Sequence, residues 1–424
     1  MSGLVRIGRQ TFRSLRWPNY RLYFAGQVVS ASGSWMQQVG QVWLVLQLTR
    51  SGTALGIVTA LQFLPVLLGG AWAGLLADRL DKRRLLIVTS AAAALCAATL
   101  GVLVVTDRVT LWLVYVLAAL LGAATALDSP ARRSFVTELV PEADEANAVS
   151  LNSSVFTAAR VIGPASAGVV ISTAGLAWCF FANALSFVAV IGALAAMDRR
   201  AIRAVPPAPR APGQLREGFR YVWAHPALRL VLTMTAVIGT LSFNFQITLS
   251  LLARRVFDGD AGLFGGMYAL MSAGAVAGSL VVAQRPQATR RFVVGAAFAF
   301  GVLMLGVSAA PGLPLALVGL VPMGAASVAF LSSAGALAQT RADPAYRGRV
   351  AALFAVAFLG STPIGGPIVG WVSDLAGPRA GLVLGALAAL LTAAWAWWRL
   401  EHPAATPAGV AEPVTGETRL VGSS

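Results

Sequence analysis

Charge is scarce in this chain. Asp, Glu, Lys and Arg make up 12% of its 424 residues and hydrophobic residues 57%, against roughly 25% charged in soluble domains, so a soluble globular protein is excluded. Its only lysine, Lys82, stands in no Gly-x-x-x-x-Gly-Lys context, so there is no P-loop and no primary pump. The two histidines, His225 and His402, lie outside the long apolar runs. No carboxylate cluster or metal spacing occurs inside those runs, which argues against an intramembrane enzyme; no catalytic residue, metal or cofactor is expected. The two cysteines, Cys96 and Cys179, each fall within an apolar run, which makes a disulfide framework or thiolate metal site a poor reading.

What the chain has instead is twelve apolar runs, each about the 20 residues needed to cross a bilayer. We place spans 1 to 6 at 22–48, 54–77, 85–105, 110–127, 146–173 and 177–197. Spans 7 to 12 fall at 228–252, 263–283, 292–309, 313–337, 350–372 and 381–397. The expected fold is an all-α membrane protein of two six-helix bundles. Basic residues exceed acidic ones, 32 to 17, but their positions argue against nucleic acid. Only Arg50, Arg108, Arg254, Arg255 and Arg379 fall in odd-numbered loops and only Arg160 in the middle of a span; the others sit at the termini, in even-numbered loops or, as Arg229, at the adjoining edge of a span. That asymmetry places both termini in the cytoplasm. Arg6, Arg9, Arg13, Arg16 and Arg21 hold the N-terminus there, and run 22–48 is too long for a signal-peptide core.

The expected organisation is an N-terminal bundle over 1–197, a cytoplasmic linker over 198–226, a C-terminal bundle over 227–400 and a disordered tail over 401–424. Within the linker, the Pro-rich run at 206–212 reads as extended chain. Leu215, Phe219, Val222 and Trp223 then recur at helical spacing opposite Arg216, Glu217 and Arg220, the pattern of a short helix lying on the membrane surface. The halves repeat each other: Pro141 and Pro164 bracket span 5 as Pro344 and Pro367 bracket span 11, and each second proline follows a glycine. Duplicated six-span halves make a transporter architecture, with substrate near the bilayer midplane between them and spans 1, 4, 7 and 10 lining the cavity.

Asp78 sits at the C-terminal end of span 2, the pole of the helix dipole that disfavours a carboxylate, so another element is expected to stabilise it. The segment Gly74-Leu-Leu-Ala-Asp78-Arg79-Leu-Asp81-Lys82-Arg83 resembles the loop motif of the major facilitator superfamily, Gly-x-Leu-x-Asp-Arg-x-Gly-Arg-Lys, departing from it at Asp81. Four further phrases, Asp128-Ser-Pro-Ala-Arg-Arg133, Asn147-Ala-Val-Ser-Leu-Asn152, Ala159-Arg-Val-Ile-Gly-Pro164 and Asn183-Ala-Leu-Ser-Phe187, resemble the branch of enterobactin-exporter-like and macrolide-efflux-like drug and siderophore exporters, as does Gly348-Arg-Val350. The resemblance implies alternating access, with Asp78 latching onto the start of span 11 near Arg347 and Arg349. Gly163, Pro164 and Gly168 are similar to the antiporter motif of exporting members, with Ala167 replacing one glycine; a plain proline kink is the competing reading. We expect span 5 to pack on span 8 through Gly163 and Gly168, against Gly266 and Gly274.

Arg160, alone among the charges in lying mid-span, is either an anchor for span 5 or a contact for an anionic substrate. Gln27, Gln38, Gln41, Trp43, Gln62, Asn244 and Gln246 are candidate cavity residues, with interhelical hydrogen bonding as the alternative for the amides. The resemblance places Arg and Asp on span 1 where this chain has Gln38 and Val42. Asp128, in an inner-end group with Arg132, Arg133, Arg347 and Arg349, is therefore the remaining protonation candidate, with pairing to Arg132 or Arg133 as the competing reading. The function expected is secondary active export of a mid-sized amphipathic molecule by proton antiport, in a bacterial inner membrane. The expected partners are a small-molecule substrate, protons and the lipid bilayer, with the chain a monomer. An uptake carrier, an uncoupled facilitator and a non-transporting receptor are the alternatives.

Overall fold

In hydrocarbon every backbone N–H and C=O must be satisfied within its own segment or a closed sheet, and this chain takes the helical solution throughout its apolar runs. The computed structural model describes residues 11–203, 214–284 and 288–402. Arg6, Arg9, the Pro-rich run at 206–212 and the tail beyond 402 lie outside the described residues, as do the side chains of Ala71, Leu75, Asp78, Gln214 and Leu215. Spans 1 to 6 are the helices Pro18–Thr49, Gly52–Arg79, Lys82–Val105, Leu111–Glu138, Glu142–Thr173 and Ala177–Ala195. A short linker helix, Gln214–Ala224, follows. Spans 8, 9, 10 and 12 are Ala261–Ala283, Arg290–Ala309, Leu313–Arg341 and Pro378–Glu401. Span 7 breaks into Pro226–Ser242 and Phe245–Leu251, and span 11 into Arg347–Leu359 and Thr362–Ala376. Eleven of the twelve are long and apolar enough to cross a membrane; the twelfth, Pro18–Thr49, is 32 residues long but carries five glutamines and Arg21.

The pairings of the first half recur in the second. Span 2 packs on 4 and span 8 on 10; span 3 packs on 6 and 4, and span 9 on 12 and 10. Span 1 packs on 5 and 6, and span 7 on 11 and 12. The duplication glimpsed in two proline spacings thus extends through the packing. With an even number of spans, both termini share one end, here the terminal end; the other is the distal end.

Span 4 runs well past the expected end at 127, to Glu138. Asp128, Arg132 and Arg133 therefore lie on the helix, held by an i,i+4 ion pair between Asp128 and Arg132 and, at its last turn, by an ion pair of Glu138 with Lys82. Before span 1, Arg16 and the Trp17 indole both donate to Asp144 at 2.7 and 2.8 Å, and the Tyr20 hydroxyl donates to the Ala148 carbonyl at 2.8 Å. This ties the start of span 1 to the start of span 5.

Small residues set the helix separations, as expected where lipid removes any hydrophobic drive between helices. Gly324 of span 10 lies directly on the Met271 carbonyl of span 8, so an added Cβ would overlap it, whereas nothing lies within 4 Å of a Cβ at Gly295. Gly324→Val should therefore destabilise the second bundle by about 1–3 kcal/mol, the usual range for overpacking. Thermal unfolding in detergent should show a lowered Tm for Gly324→Val and an unchanged one for Gly295→Val.

Candidate functional site

The first bundle holds a cavity of about 280 Å³ whose lining comes from all six of its spans. Spans 1 and 4 contribute to it as expected, together with spans 2, 3, 5 and 6; spans 7 and 10 do not line this cavity, which lies within the first half. Gln27, Gln38, Gln41 and Gln62 all line it, joined by Gln37, Asn183, Thr89, Ser90, Asp128 and Arg132. Asn183 of span 6 donates to Gln37 at 2.6 Å, so part of the amide set is interhelical bonding. Gln27 Nε2 and Ser90 Oγ are buried donors without a protein partner, on residues only 2% and 1% exposed, and both belong to the cavity wall.

At the terminal end of this cavity Arg132 grips Asp128 with two hydrogen bonds, Nε to Oδ2 at 2.6 Å and Nη2 to Oδ1 at 2.8 Å. Thr89 of span 3 donates a third, to Oδ1 at 3.0 Å. The pair makes the wall internally neutral. The rest of the expected inner-end group does not join it: Arg133 is exposed, Arg347 donates to the Ala342 carbonyl at 3.4 Å, and Arg349 pairs with Glu217 of the linker helix at 3.0 Å. Arg133 belongs to the first half and Arg347 and Arg349 to the second.

The other cavity candidates occupy the seam between the halves. Arg160 is exposed rather than enclosed and lies over the Trp35 ring at 5.4 Å; Trp35 in turn meets Tyr268 of span 8 at 5.9 Å, and Gln246 is half-buried on the second piece of span 7. Asn244 sits at the break in span 7 and donates to the Thr240 carbonyl at 2.7 Å. Trp43 lies elsewhere, 5% exposed and beneath Arg254 at the distal end, because span 1 has by then risen above the cavity.

The halves close on one another at the distal end. Asp374, in the last turn of span 11, accepts from Ser51 Oγ at 2.7 Å, from the Gly52 and Thr53 amides at 2.8 Å each, and from Thr53 Oγ1 at 2.8 Å. Arg255 of span 7 donates to it at 2.9 Å and also to the Arg50 carbonyl. Beneath this cluster Gly52 meets Gly370 and Gly56 meets Gly366, backbone against backbone. The argument that singled out Asp78, a carboxylate at the wrong pole of its own helix, applies equally to Asp374, which sequence reasoning missed.

Span 5 also closes on span 8 here, with a shifted register. Gly168 lies against Gly262, and Gly265 against the Pro164 carbonyl. Gly163, expected on span 8, instead faces Ser32 and Trp35 of span 1; Gly266 has no neighbour there, and Gly274 packs on Val321 of span 10. Five residues apart on one helix, the two glycines face sides about 140° apart and so meet different partners. In the loop motif, Gly74 is half-buried and Arg79 exposed, Lys82 pairs with Glu138, and Arg83 donates to the Leu194 and Ala195 carbonyls at 2.6 and 2.9 Å. Lys82 and Arg83 thus fasten the loop to its own bundle.

Breaking a buried ion pair from one side leaves an uncompensated charge, at a cost of about 3–5 kcal/mol. Asp128→Ala should accordingly destabilise the protein far more than the double variant Asp128→Asn/Arg132→Gln. Denaturation of the purified variants in one detergent measures the difference, and equal losses would contradict the pairing.

Comparison with known proteins supplies the family. Residues 9–412 match the family described as transmembrane secretion effector. The chain is 28% identical to the staphyloferrin A transporter of Staphylococcus aureus over 68% of this chain and 73% of that one. It is also 28% identical to the multidrug efflux pump Tap of Mycolicibacterium fortuitum, over 86% and 91%. Among solved structures, a bacterial homologue of the human lysosomal transporter Spinster, inward-facing and unoccupied, superposes with a TM-score of 0.75 at 15% identity, covering 90% of this chain and 97% of that one. The nucleoside transporter NupG superposes with a TM-score of 0.69 at 14% identity, covering 91% and 99%. The chain belongs to the transmembrane secretion effector family, an exporter branch of the major facilitator superfamily, and is a membrane transporter rather than an enzyme.

Proposed function

We propose that this transporter exports a mid-sized amphipathic small molecule, a siderophore, antibiotic or other secondary metabolite, across a bacterial inner membrane by proton antiport. The observation that carries this reading is the amide-lined cavity with its internally neutral wall. Such a wall offers hydrogen bonds without a free charge, which suits a neutral or weakly anionic compound; a buried cation would find no uncompensated acid. Export is supported by the relatives named for efflux, a multidrug efflux pump and a macrolide efflux protein.

With both termini cytoplasmic, as the basic loops argue, the distal closure faces outward and the arrangement is inward-facing, ready to load from the cytoplasm. In the opposite state Asp78 meets the start of span 11, as Asp374 meets the start of span 2 in this one. Asp128 is the acid of the cavity wall and the proposed protonation site, with Arg132 as the counter-ion its proton would release. The protein acts as a monomer.

Inverted vesicles carrying the protein and energised with an inward-acid proton gradient should accumulate labelled metabolites of this class, and a protonophore should stop them. Asp128→Asn should lose gradient-driven accumulation while retaining exchange. Accumulation that persists without a gradient would make the protein a facilitator and end the antiport reading.

A further inference from the structure

The linker helix Gln214–Ala224 has two faces with different partners. Its inner face is bonded to the approach to span 11. The Tyr221 hydroxyl donates to Asp343 Oδ2 at 2.9 Å and accepts from the Asp343 amide at 3.0 Å, while its ring stacks on Tyr346 at 4.0 Å. Glu217 accepts from the Tyr346 hydroxyl at 3.0 Å and pairs with Arg349. Gly218 lies on the Arg349 stem, and Val222 is 1% exposed. This fastens the helix to the segment that begins the first piece of span 11, Arg347–Leu359.

The outer face consists of Arg216, Phe219, Arg220 and Trp223, which follow one another at three- and four-residue steps and therefore share one side of the helix. All four are exposed. Phe219 and Trp223 are 52% and 53% exposed and stack on each other at 4.9 Å. This revises the expectation that the aromatics lie opposite the arginines: only Val222 of the described apolar set turns inward, and the aromatic pair shares its side with the two cations.

Two stacked aromatic rings flanked by guanidinium groups, on a helix at the end of a membrane bundle, have the composition of an interfacial element. The rings suit the boundary between headgroups and acyl chains, and the arginines suit an anionic headgroup layer. We infer that this face is a docking surface for anionic phospholipid headgroups. By holding the linker helix to the bilayer, it fixes the start of span 11, the element that the loop motif must meet when the terminal end closes. The inference requires only that the chain is embedded in a membrane. It stands or falls separately from the cargo and the direction of transport.

The test is amide hydrogen exchange on the full chain in nanodiscs of phosphatidylcholine alone or of phosphatidylcholine with phosphatidylglycerol. Each arginine near an anionic surface contributes about a fivefold factor in binding. Exchange in 214–224 should accordingly slow at least about fivefold when phosphatidylglycerol is present, with 343–347 slowing alongside it. Arg216→Gln/Arg220→Gln, which alters only exposed side chains, should exchange at the phosphatidylcholine rate in both discs. Phe219→Ala/Trp223→Ala should lose protection in both. Equal exchange of the wild-type chain in the two lipids would overturn the inference. So would a lipid difference that survives in the double glutamine variant, since the headgroups would then act elsewhere.

Discussion

The architecture depends on one carboxylate, Asp374, placed where its own helix repels it. At the end of span 11 the helix dipole opposes a negative charge, and the position is tolerated because the opening turn of span 2 comes from the other half to meet it. The unsatisfied amides of that turn, two hydroxyls and Arg255 all converge on the carboxylate. The glycines below permit the approach, since a Cβ at Gly52, Gly56 or Gly370 would strike backbone of the opposite helix. Gly168 and Gly262 do the same on the other side of the seam. The two halves are thus pinned at the distal end by helix-end electrostatics and backbone packing.

That pinning gives the cavity its setting. A bundle interior lined by five glutamines, an asparagine and an ion pair is costly in hydrocarbon unless its groups bond one another. The structure satisfies some of them internally, through Asn183 and Gln37 and through Asp128, Arg132 and Thr89. Gln27 and Ser90 line the cavity with buried polar atoms that meet no protein partner. A wall that is partly self-satisfied and partly available suits a carrier, which must hold its cargo well enough to select it and weakly enough to release it.

Much of this was legible in the chain. Hydropathy gave twelve spans, and paired prolines gave a duplication that extends through the helix pairings within each half. Gln27, Gln38, Gln41 and Gln62 were readable as cavity residues because amides are rare in a spanning helix. That spans 2, 3, 5 and 6 join spans 1 and 4 in the wall of this cavity was not, because hydropathy does not tell which way a helix turns its polar side. Gly163 and Gly168 lie on one helix yet meet different neighbours, since five residues put them about 140° apart around it. Asp374 fell just beyond the predicted end of span 11 and was passed over, although the dipole argument used for Asp78 would have found it.

The central claim is that the halves pivot between closure at one end and closure at the other. Losing hydrogen bonds to a charged acceptor, each worth about 1.5–3 kcal/mol, is enough to move a two-state equilibrium from one state to a mixture. The direct measurement is a pair of spin-label distances in lipid, with Cys96 and Cys179 replaced, taken between exposed positions Arg108 and Pro311 at the distal end and Arg84 and Arg291 at the terminal end. Asp374→Ala should lengthen the distal distance and shorten the terminal one. Distributions that stay unchanged, or that lengthen at both ends together, would contradict the account.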